Sequence, residues 1–448
     1  YMVAAFVLKC EPIGLMGLEF AWSDETPYNE TQYYEELQRI VGEENVPGYF
    51  RRIRNHRDGK TYIADPVYYC FSEDTRLLTE SGFRHWQDLA VGESAATVSP
   101  GGELEYQPVE AVQVYNYSDD LLLFESAHTN LLVTPNHRMY VKPHKRAKPM
   151  FIEARDFLSM SEDRLWNDIR LVKKLSWTGQ QSEAVQIPQV EYGGHPGRNL
   201  LQSVRTEDWM RFLGWYITEG SSLKSNGEYK ISLGIQDPET EEYRSVLERI
   251  GIAYRKVRFT NVPGTIFNSK QLYSYLAPLG HAHDKRIPAE VKKLSRYHLS
   301  ILLETLLKGD GYIHPSGTAM YGTSSKILAE DVSELAIKCG HWPTIHRDEK
   351  RGMYNVSVKK AYRGTMLHRP KAVPYSGKVW CVTVPNGTVI VERHGRISVS
   401  GNSYMLMFRE IWGMLPSKVR RVTYNLTKQG ILTAPGLKYA SAEEFVKL

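Results

Sequence analysis

Apolar and polar positions change rhythm several times along the chain. From residue 70 to about residue 140, apolar residues come in short runs, TRLLTE, AATVSP, VEAVQVYNY, LLLFES and NLLVTPNHRMYV, separated by Gly, Asn, Asp and Pro. Alternation broken by turn residues predicts many short antiparallel strands. From 204 to 365 the rhythm is mixed. TEDWMRFLGWYITEG (206–220) has helical spacing, EYKISLGI reads as a strand, PETEEYRSVLERIG as a helix and AYRKVRFTN as a strand. The order then returns in YHLSILLETLLKGDG (297–311), TAMYGTSS, KILAEDVSELAIKCG, WPTIHRDEK and MYNVSVKK. Each leading helix ends in an acid followed by Gly, and the two acids, Glu219 and Asp310, stand 91 positions apart. An order repeated at that period predicts a duplicated α+β domain with an approximate two-fold axis. GKVWCVTVPNGTVIVERHGRISVSGNS (377–403) goes back to short strands. Residues 1–69 and 403–448 read as mixed helix and loop, with a helix near Glu30–Val41, and 141–203 as an irregular connector.

Composition narrows this picture. At roughly 100–200 residues per domain, 448 residues predict two to four domains. With 42% hydrophobic and 24% charged residues, a wholly disordered or fibrous chain is excluded. No stretch reaches 18 uncharged apolar residues, and the apolar opening is interrupted by Lys9 and Glu11, so neither a membrane span nor a cleavable signal is predicted. Cys10, Cys70, Cys339 and Cys381 lack the spacing of a disulfide framework or a CxxC zinc site, which fits a reduced, cytoplasmic setting. A first residue of Tyr1 suggests a fragment of a longer reading frame. The net charge of +5 is uneven: residues 1–69 carry −4 and 403–448 carry +4, leaving +5 in the interior. Basic runs stand at 142–149, 284–293 and 359–371; solvated surface and nucleic-acid contact are both open for them.

Candidate chemistry gathers where the rhythm changes. Cys70 opens the interior segment and Gly401-Asn402-Ser403 closes it. Cysteine is the best side-chain nucleophile for attacking its own preceding carbonyl. Asparagine can cyclise onto its own backbone carbonyl and cut the chain after itself, and Ser403 offers a hydroxyl as acyl acceptor.

These residues carry a resemblance. CFSEDTRLLTESGFRHWQDLAVGE (70–93) resembles the first splicing block of inteins, and LLVTPNHRMYV (131–141) resembles the second, with Thr134 and His137 in its Thr-x-x-His. VWCVTVPNGTVIV and SVSGNS resemble the two C-terminal blocks. The resemblance covers 70–402, or 333 of 448 residues. It implies an all-β, horseshoe-shaped splicing domain of the Hint type at 70–203 and 366–402. It also implies flanking host fragments at 1–69 and 403–448, whose own function the sequence leaves open. On the family mechanism, which needs no cofactor, Cys70 attacks the Tyr69 carbonyl and His137 protonates the leaving nitrogen while Thr134 bonds the same peptide. Ser403 then takes the acyl group and Asn402 cyclises. Two departures stand out. Gly401 occupies the place of a frequent penultimate His, whose role could pass to His394. Cys381 replaces a common Asp, either as an acid/base group near the junction or as a small core residue.

LGWYITEG (213–220) and LLKGDGYI (306–313) resemble the paired motifs of LAGLIDADG homing endonucleases, which commonly sit inside inteins. The resemblance implies that residues 204–365 are an inserted nuclease, a monomer with a pseudo-two-fold. Its catalytic carboxylates would be Glu219 and Asp310, which would bind Mg²⁺. Small residues such as Gly214 would let its helices cross closely. The expected partner is double-stranded DNA encoding the intein-less junction of the host. DKRIPAEV (284–291) resembles the lysine-bearing block of such nucleases, with Lys285 orienting water, stabilising charge, contacting phosphate or simply lying on the surface. A nuclease that binds DNA without cutting it is the alternative reading.

Overall fold

The computed structural model describes residues 70–402 except 144–147, 193–194, 197–199, 237–238, 261, 317 and 361–364. Outside that segment it describes 13–15, 21–23, 51–54, 61–64, 423–425 and 438–439, with single positions 27, 29, 38 and 43. The described chain is β-rich with few helices.

The first β-rich part contains β1 (Phe71–Ser72), β2 (Arg76–Thr79), β3 (Ala111–Ser126), β4 (Thr129–Val133) and β5 (Arg138–Pro143). The sequence predicts two strands where β3 is a single strand of 16 residues. Its polar middle, Asn116–Asp120, stays in the ladder because it is opposite Pro374–Lys378. Backbone pairing there holds extended a stretch that no apolar face would. Residues 141–203, expected to be irregular, contain short strands at Met150–Glu153 and Ile169–Leu171 and the start of one at Ser203–Arg205. Strands this short fall below the length at which periodicity can be read.

The duplicated part begins with α1 (Thr206–Glu219), followed by β6 (Gly220–Ser225), β7 (Glu228–Gly234), α2 (Glu239–Ile250), β8 (Arg255–Phe259), β9 (Val262–Asn268) and α3 (Lys270–Leu276). The second half contains α4 (Arg296–Asp310), β10 (Gly311–Ile313), β11 (Ala319–Thr323), α5 (Lys326–Lys338), β12 (His341–Asp348) and β13 (Met353–Lys360). The two half-sheets have matching orders, β6-β7-β9-β8 and β10-β11-β13-β12. Sequence reading missed β6 and β10, each of which starts at the Gly after a helix-ending acid. An Ile, Leu, Trp and Tyr core joins the helices to one face of the sheets, including Trp209, Trp215, Ile231, Leu302, Tyr321 and Val356.

The chain then returns through β14 (Lys371–Thr383), β15 (Thr388–Arg393) and β16 (Arg396–Gly401). β14 lies between β1 and β3, so the first and last parts of the segment share one sheet and one core that includes Cys70, Phe71, Val133, Trp380 and Val389. β15 and β16 form a hairpin whose two-residue turn, His394-Gly395, has positive φ at both positions (49° and 75°), the geometry that matches the twist of paired strands.

The two parts are not strung together as beads. β12 pairs with β16 at Thr344–Arg396, so the second half-sheet continues into a ten-stranded sheet with β15 and β2. The Ile345 N–H donates to the Gly395 carbonyl at 2.8 Å, and Trp342 Nε1 donates to the Ile397 carbonyl at 3.0 Å. A third apolar cluster, with Leu78, Phe83, Ile337, Trp342 and Ile397, fills this seam.

Of the flanks, the described pieces are mostly strand rather than helix and loop. Arg51–Arg54 and Thr61–Ala64 form a hairpin that meets β3 at Ile53–Gln113. Apart from Gln38, which is helical, the helix predicted near Glu30–Val41 lies outside the described residues, as does Ser403.

Candidate functional site

Two groups of candidate residues form two separate sites. The first is at the ends of the segment. Cys70 is buried, and its backbone N–H donates to Thr134 Oγ1 at 3.1 Å, while the Thr134 N–H donates back to the Cys70 carbonyl at 3.1 Å. The N–H concerned belongs to the Tyr69–Cys70 peptide. Thr134 also accepts, through its carbonyl, the backbone N–H of His137 at 2.9 Å, a turn that the Thr-Pro-Asn-His sequence suits. The His137 ring is fully buried, lies edge-on to Phe71 at 4.5 Å and has Nε2 2.8 Å from Ser400 Oγ.

Ser400 is two residues before Asn402, so His137 reaches both ends of the segment. Asn402 is fully buried; its N–H donates to the Gly387 carbonyl (3.0 Å) and its Nδ2 to the Val384 carbonyl (3.2 Å). The Val384–Gly387 turn thus holds both its backbone and its carboxamide. Ser400 went unnoticed in the sequence because one Ser in a Ser-x-Ser run carries no signal until the fold sets it against a histidine.

Gly401 has a steric reason. A Cβ there would fall inside contact distance of the Arg138 carbonyl oxygen and 2.8 Å from Arg138 Cβ, with Phe151 just beyond. Arg138 stacks on Phe151 at 3.9 Å, so neither gives way easily. A penultimate histidine does not fit this backbone. Nor does His394 take its place: it is at the turn end of the β15–β16 hairpin, with Nε2 3.3 Å from Asp74, whereas Gly401 pairs with Thr388 at the far end. Cys381 is buried on β14 opposite Gln113, and the β14–β1 register, Trp380 opposite Phe71, sets it one step further on, across from Cys70. It is therefore both a core residue and a neighbour of the junction.

The second site lies where α1 and α4 end side by side. A Cβ on Gly214 would strike Thr305, and one on Gly309 would strike Thr218. These are two successive contacts, each between equivalent positions of the two repeats: Gly214 and Thr305 stand five residues before their helix-ending acids, and Thr218 and Gly309 stand one before. The threonine hydroxyls bond their own helices, Thr218 to Gly214 (3.2 Å) and Thr305 to Ile301 (2.9 Å). Close crossing at small residues brings Glu219 and Asp310 together. Burial, and then the neighbouring Asp310, push Glu219 up to about 6. Burial likewise lifts Asp310 to about 6 against the Tyr321 hydroxyl at 3.5 Å and the Lys285 charge. Such a pair titrates as a unit.

Lys285 is buried, not a surface lysine. Its Nζ donates to the carbonyls of Tyr216 (2.6 Å) and Gly220 (2.8 Å), closing the end of α1, and burial pulls it down to about 8 despite both acids. The segment carrying it is pinned to α5: Ser325 Oγ donates to the Lys285 carbonyl and the Ile287 N–H donates to Asp331. Two partly desolvated carboxylates, both still reaching solvent, with one shared cation form an under-neutralised oxygen-donor set, which fits a hard divalent ion. Among the described residues no group of three or more His, Cys, Asp or Glu converges as a metal cage.

On the sheet faces turned away from the helices, cross-strand register puts Ser221, Leu223, Lys230, Ser232 and Arg255 together in one half and Tyr312, Met320, Ser357 and Lys359 in the other. Leu223 and Tyr312 are exposed there.

No protein-family model matches the chain. Among curated proteins it is 27% identical over 301 residues to the ATP-dependent Clp protease proteolytic subunit of Chlamydomonas moewusii, covering 62% of this chain and 28% of that protein. It is 22% identical over 423 residues to the C-terminal section of the RNA polymerase β subunit of Stigeoclonium helveticum, covering 76% and 37%. It is also 39% identical over 84 residues to a SufBD-family iron–sulfur assembly protein of Mycobacterium leprae, covering 18% and 10%. The chain thus spans well under half the length of these relatives. Among solved structures, the homing endonuclease I-DmoI in complex with DNA and Mn aligns at TM-score 0.29 and 17% identity, covering 34% of this chain and 90% of that one. The AceL NrdHF class 3 split intein aligns at 0.26 and 12%, covering 75% and 99%. The structural neighbours of this chain therefore include a LAGLIDADG homing endonuclease and an intein, both at low TM-scores.

Proposed function

We propose that residues 70–402 form a self-excising intein that joins its flanks, with a DNA endonuclease inserted at 204–365. One observation carries the splicing reading: both ends of the segment converge on the buried His137, through Thr134 on one side and Ser400 on the other. The relatives support it in another way. A protease subunit, a polymerase subunit and an iron–sulfur assembly protein share no activity by name, and partial matches to all of them are expected of an element that interrupts unrelated hosts.

Cys70 Sγ attacks the Tyr69 carbonyl carbon, forming the thioester C–S bond as the C–N bond breaks, and His137 delivers the proton the departing nitrogen needs. General acid help of this kind contributes ~10²–10⁴-fold. Ser403 Oγ displaces the Cys70 thiolate to give an ester. Asn402 Nδ2 then attacks its own carbonyl carbon, closing a succinimide and releasing the Ser403 amine, which captures the ester as a peptide. The turn that fixes the Asn402 carboxamide limits its rotamers, so part of the entropy of cyclisation is met in advance. Opposite Cys70, Cys381 acts as an acid/base neighbour of the thiol.

In the insert, Glu219 and Asp310 would hold a divalent cation, Mg²⁺ in the family it resembles, which when bound neutralises phosphate charge and acidifies water. The carboxylates orient water toward the scissile phosphate, and Lys285 fixes the end of α1 so that Glu219 keeps its place. Alternating exposed side chains on the half-sheets are suited to reading double-stranded DNA.

Intact-mass analysis of the expressed chain, with and without Cys70→Ala plus Asn402→Ala, tests the splicing half. A 333-residue product beside a ligated 115-residue product, only in the unsubstituted chain, is expected; uncut precursor in both would overturn it. Cleavage of a duplex encoding the joined flanks, lost in Glu219→Ala, tests the nuclease. Binding of that duplex with no cleavage at any divalent-ion concentration would leave a DNA-binding insert instead.

A further inference from the structure

The seam between the two parts carries a group of cations with no counter-charge. Lys173, from the β-rich part, is buried; its Nζ donates to the His128 carbonyl at 2.8 Å and lies 5.5 Å from the Trp342 ring. Trp342 is on β12 directly across from Lys359 on β13, and two residues along β12, Thr344 pairs with Arg396 of β16. Trp342, Thr344, Lys359 and Arg396 thus share the sheet face turned away from α5, the face that presents Tyr312 on the inner strand. The helix side is taken by Ile345, Val356 and Val358. Lys359 is exposed and Arg396 half-buried, so the group is open to solvent on one side. Among the described residues no carboxylate lies within ion-pair distance of Lys173, Lys359 or Arg396, although most other cations along this seam are paired, as Arg76 is with Glu330 and Glu392.

The charges act on each other. Burial, then Arg396 and Lys359, pull Lys173 down to about 7, and His128 is lowered by burial, Lys173, Lys359 and Arg396. No acid contributes to either group. A fold that holds a lysine half-neutral at physiological pH beside two further cations has left positive potential unspent, and an anion is what would use it.

We propose that Lys173, Lys359 and Arg396 form a phosphate-binding site at the seam, shared by the two parts, through which Lys173 and Arg396 of the splicing domain join the insert's Lys359 in gripping the DNA backbone. The inference rests on the nuclease reading for its DNA. The ligand chemistry is that of a phosphate diester, and the site supplies position and charge rather than sequence discrimination. DNA contact would restore the Lys173 proton, so binding takes up about one proton above pH 7. His128 is lowered below its usual value and stays neutral there, which leaves Lys173 as the group that titrates.

The test uses the full chain held unspliced by Cys70→Ala with Asn402→Ala, and fluorescence anisotropy with a duplex encoding the joined flanks and an unrelated duplex. Lys359→Met is expected to weaken both duplexes alike and to reduce the slope of log affinity against log salt by about 1. In the parent, log affinity should fall by up to about 1 per pH unit above pH 7. That fall should vanish in Lys173→Arg, which stays charged and keeps its affinity. Salt slopes identical in the parent and Lys359→Met, with both binding DNA, would overturn the proposal while sparing the nuclease reading. If the parent binds no duplex, the DNA source fails with that reading. Inorganic phosphate then decides the site: thermal stabilisation by millimolar phosphate that Lys359→Met abolishes would keep an anion site for a free phosphate, and its absence would remove the site altogether.

Discussion

The two candidate sites solve opposite problems. The junction site is dry and nearly uncharged: Cys70, His137, Cys381 and Asn402 are all buried, and the Cys70 N–H, His137 Nε2 and Asn402 Nδ2 are held by hydrogen bonds, while Asn402 Oδ1 has no partner among the described residues. The acid-pair site is half-buried and electrostatically tense, with two carboxylates lifted to about 6 and a lysine lowered to about 8. A site acting on its own chain receives its substrate by folding, so it can be closed and can rely on position. A site acting on an external polyanion must stay open and keep unmet charge for what it will bind. The seam cations, drawn from both parts, follow the second logic.

The comparison is broken or sharpened by a series of variants. The largest expected effect is a double dissociation. Cys70→Ala should remove ligated product entirely while duplex cleavage continues, and Asp310→Ala should lower cleavage by about 10³ or more with the mass profile of splicing unchanged. Loss of splicing in Asp310→Ala would join the two sites that the geometry keeps apart.

Next comes the contact that binds the parts together. Buried Glu334 receives Lys338 at 2.6 Å, Lys292 at 2.8 Å and the Tyr106 hydroxyl at 2.7 Å, so α5 is tied to the β-rich part. Burial alone would raise Glu334, but the two lysines outweigh it and hold it at about 2. A folded pKa below the unfolded one means that this stabilisation is present above about pH 4.5 and is lost as pH falls toward 2. Glu334→Ala should destabilise the chain by about 3–5 kcal/mol in denaturant titration and should slow splicing and cleavage together.

A smaller effect is expected at Gly401. Gly401→Ala forces its Cβ against Arg138 and should cost about 1–3 kcal/mol, with C-terminal release slowed more than thioester formation, measured as thiol-induced cleavage after Tyr69. Release as fast as in the parent would mean that Arg138 yields.

The smallest concerns protons at the acid pair. Since Glu219 and Asp310 ionise near pH 6, divalent-cation affinity measured by calorimetry should fall by about tenfold or more per pH unit below 6 and level off above 7. A flat profile would place the cation elsewhere.

The sequence by itself carried the local terms. Alternation marked out the strands around 70–140 and 377–401, helical spacing gave α1, α2, α4 and α5, and the acid-Gly repeat exposed the duplication. Chemistry that depends on residue type alone, a cysteine, a Thr-x-x-His and a terminal Asn, was legible for the same reason. What tertiary structure decided was everything set by separation in space. The reason Gly401 is glycine lies in Arg138, 263 positions away. The partner of His137 is Ser400, and the two cations that act on Lys173, Lys359 and Arg396, come from two different strands, β13 and β16. The merging of the duplicated part into the sheet of the β-rich part rests on one ladder step between Thr344 and Arg396. Periodicity reports which face of an element is buried, but not which element covers it, and no local pattern encodes a contact between residues so far apart.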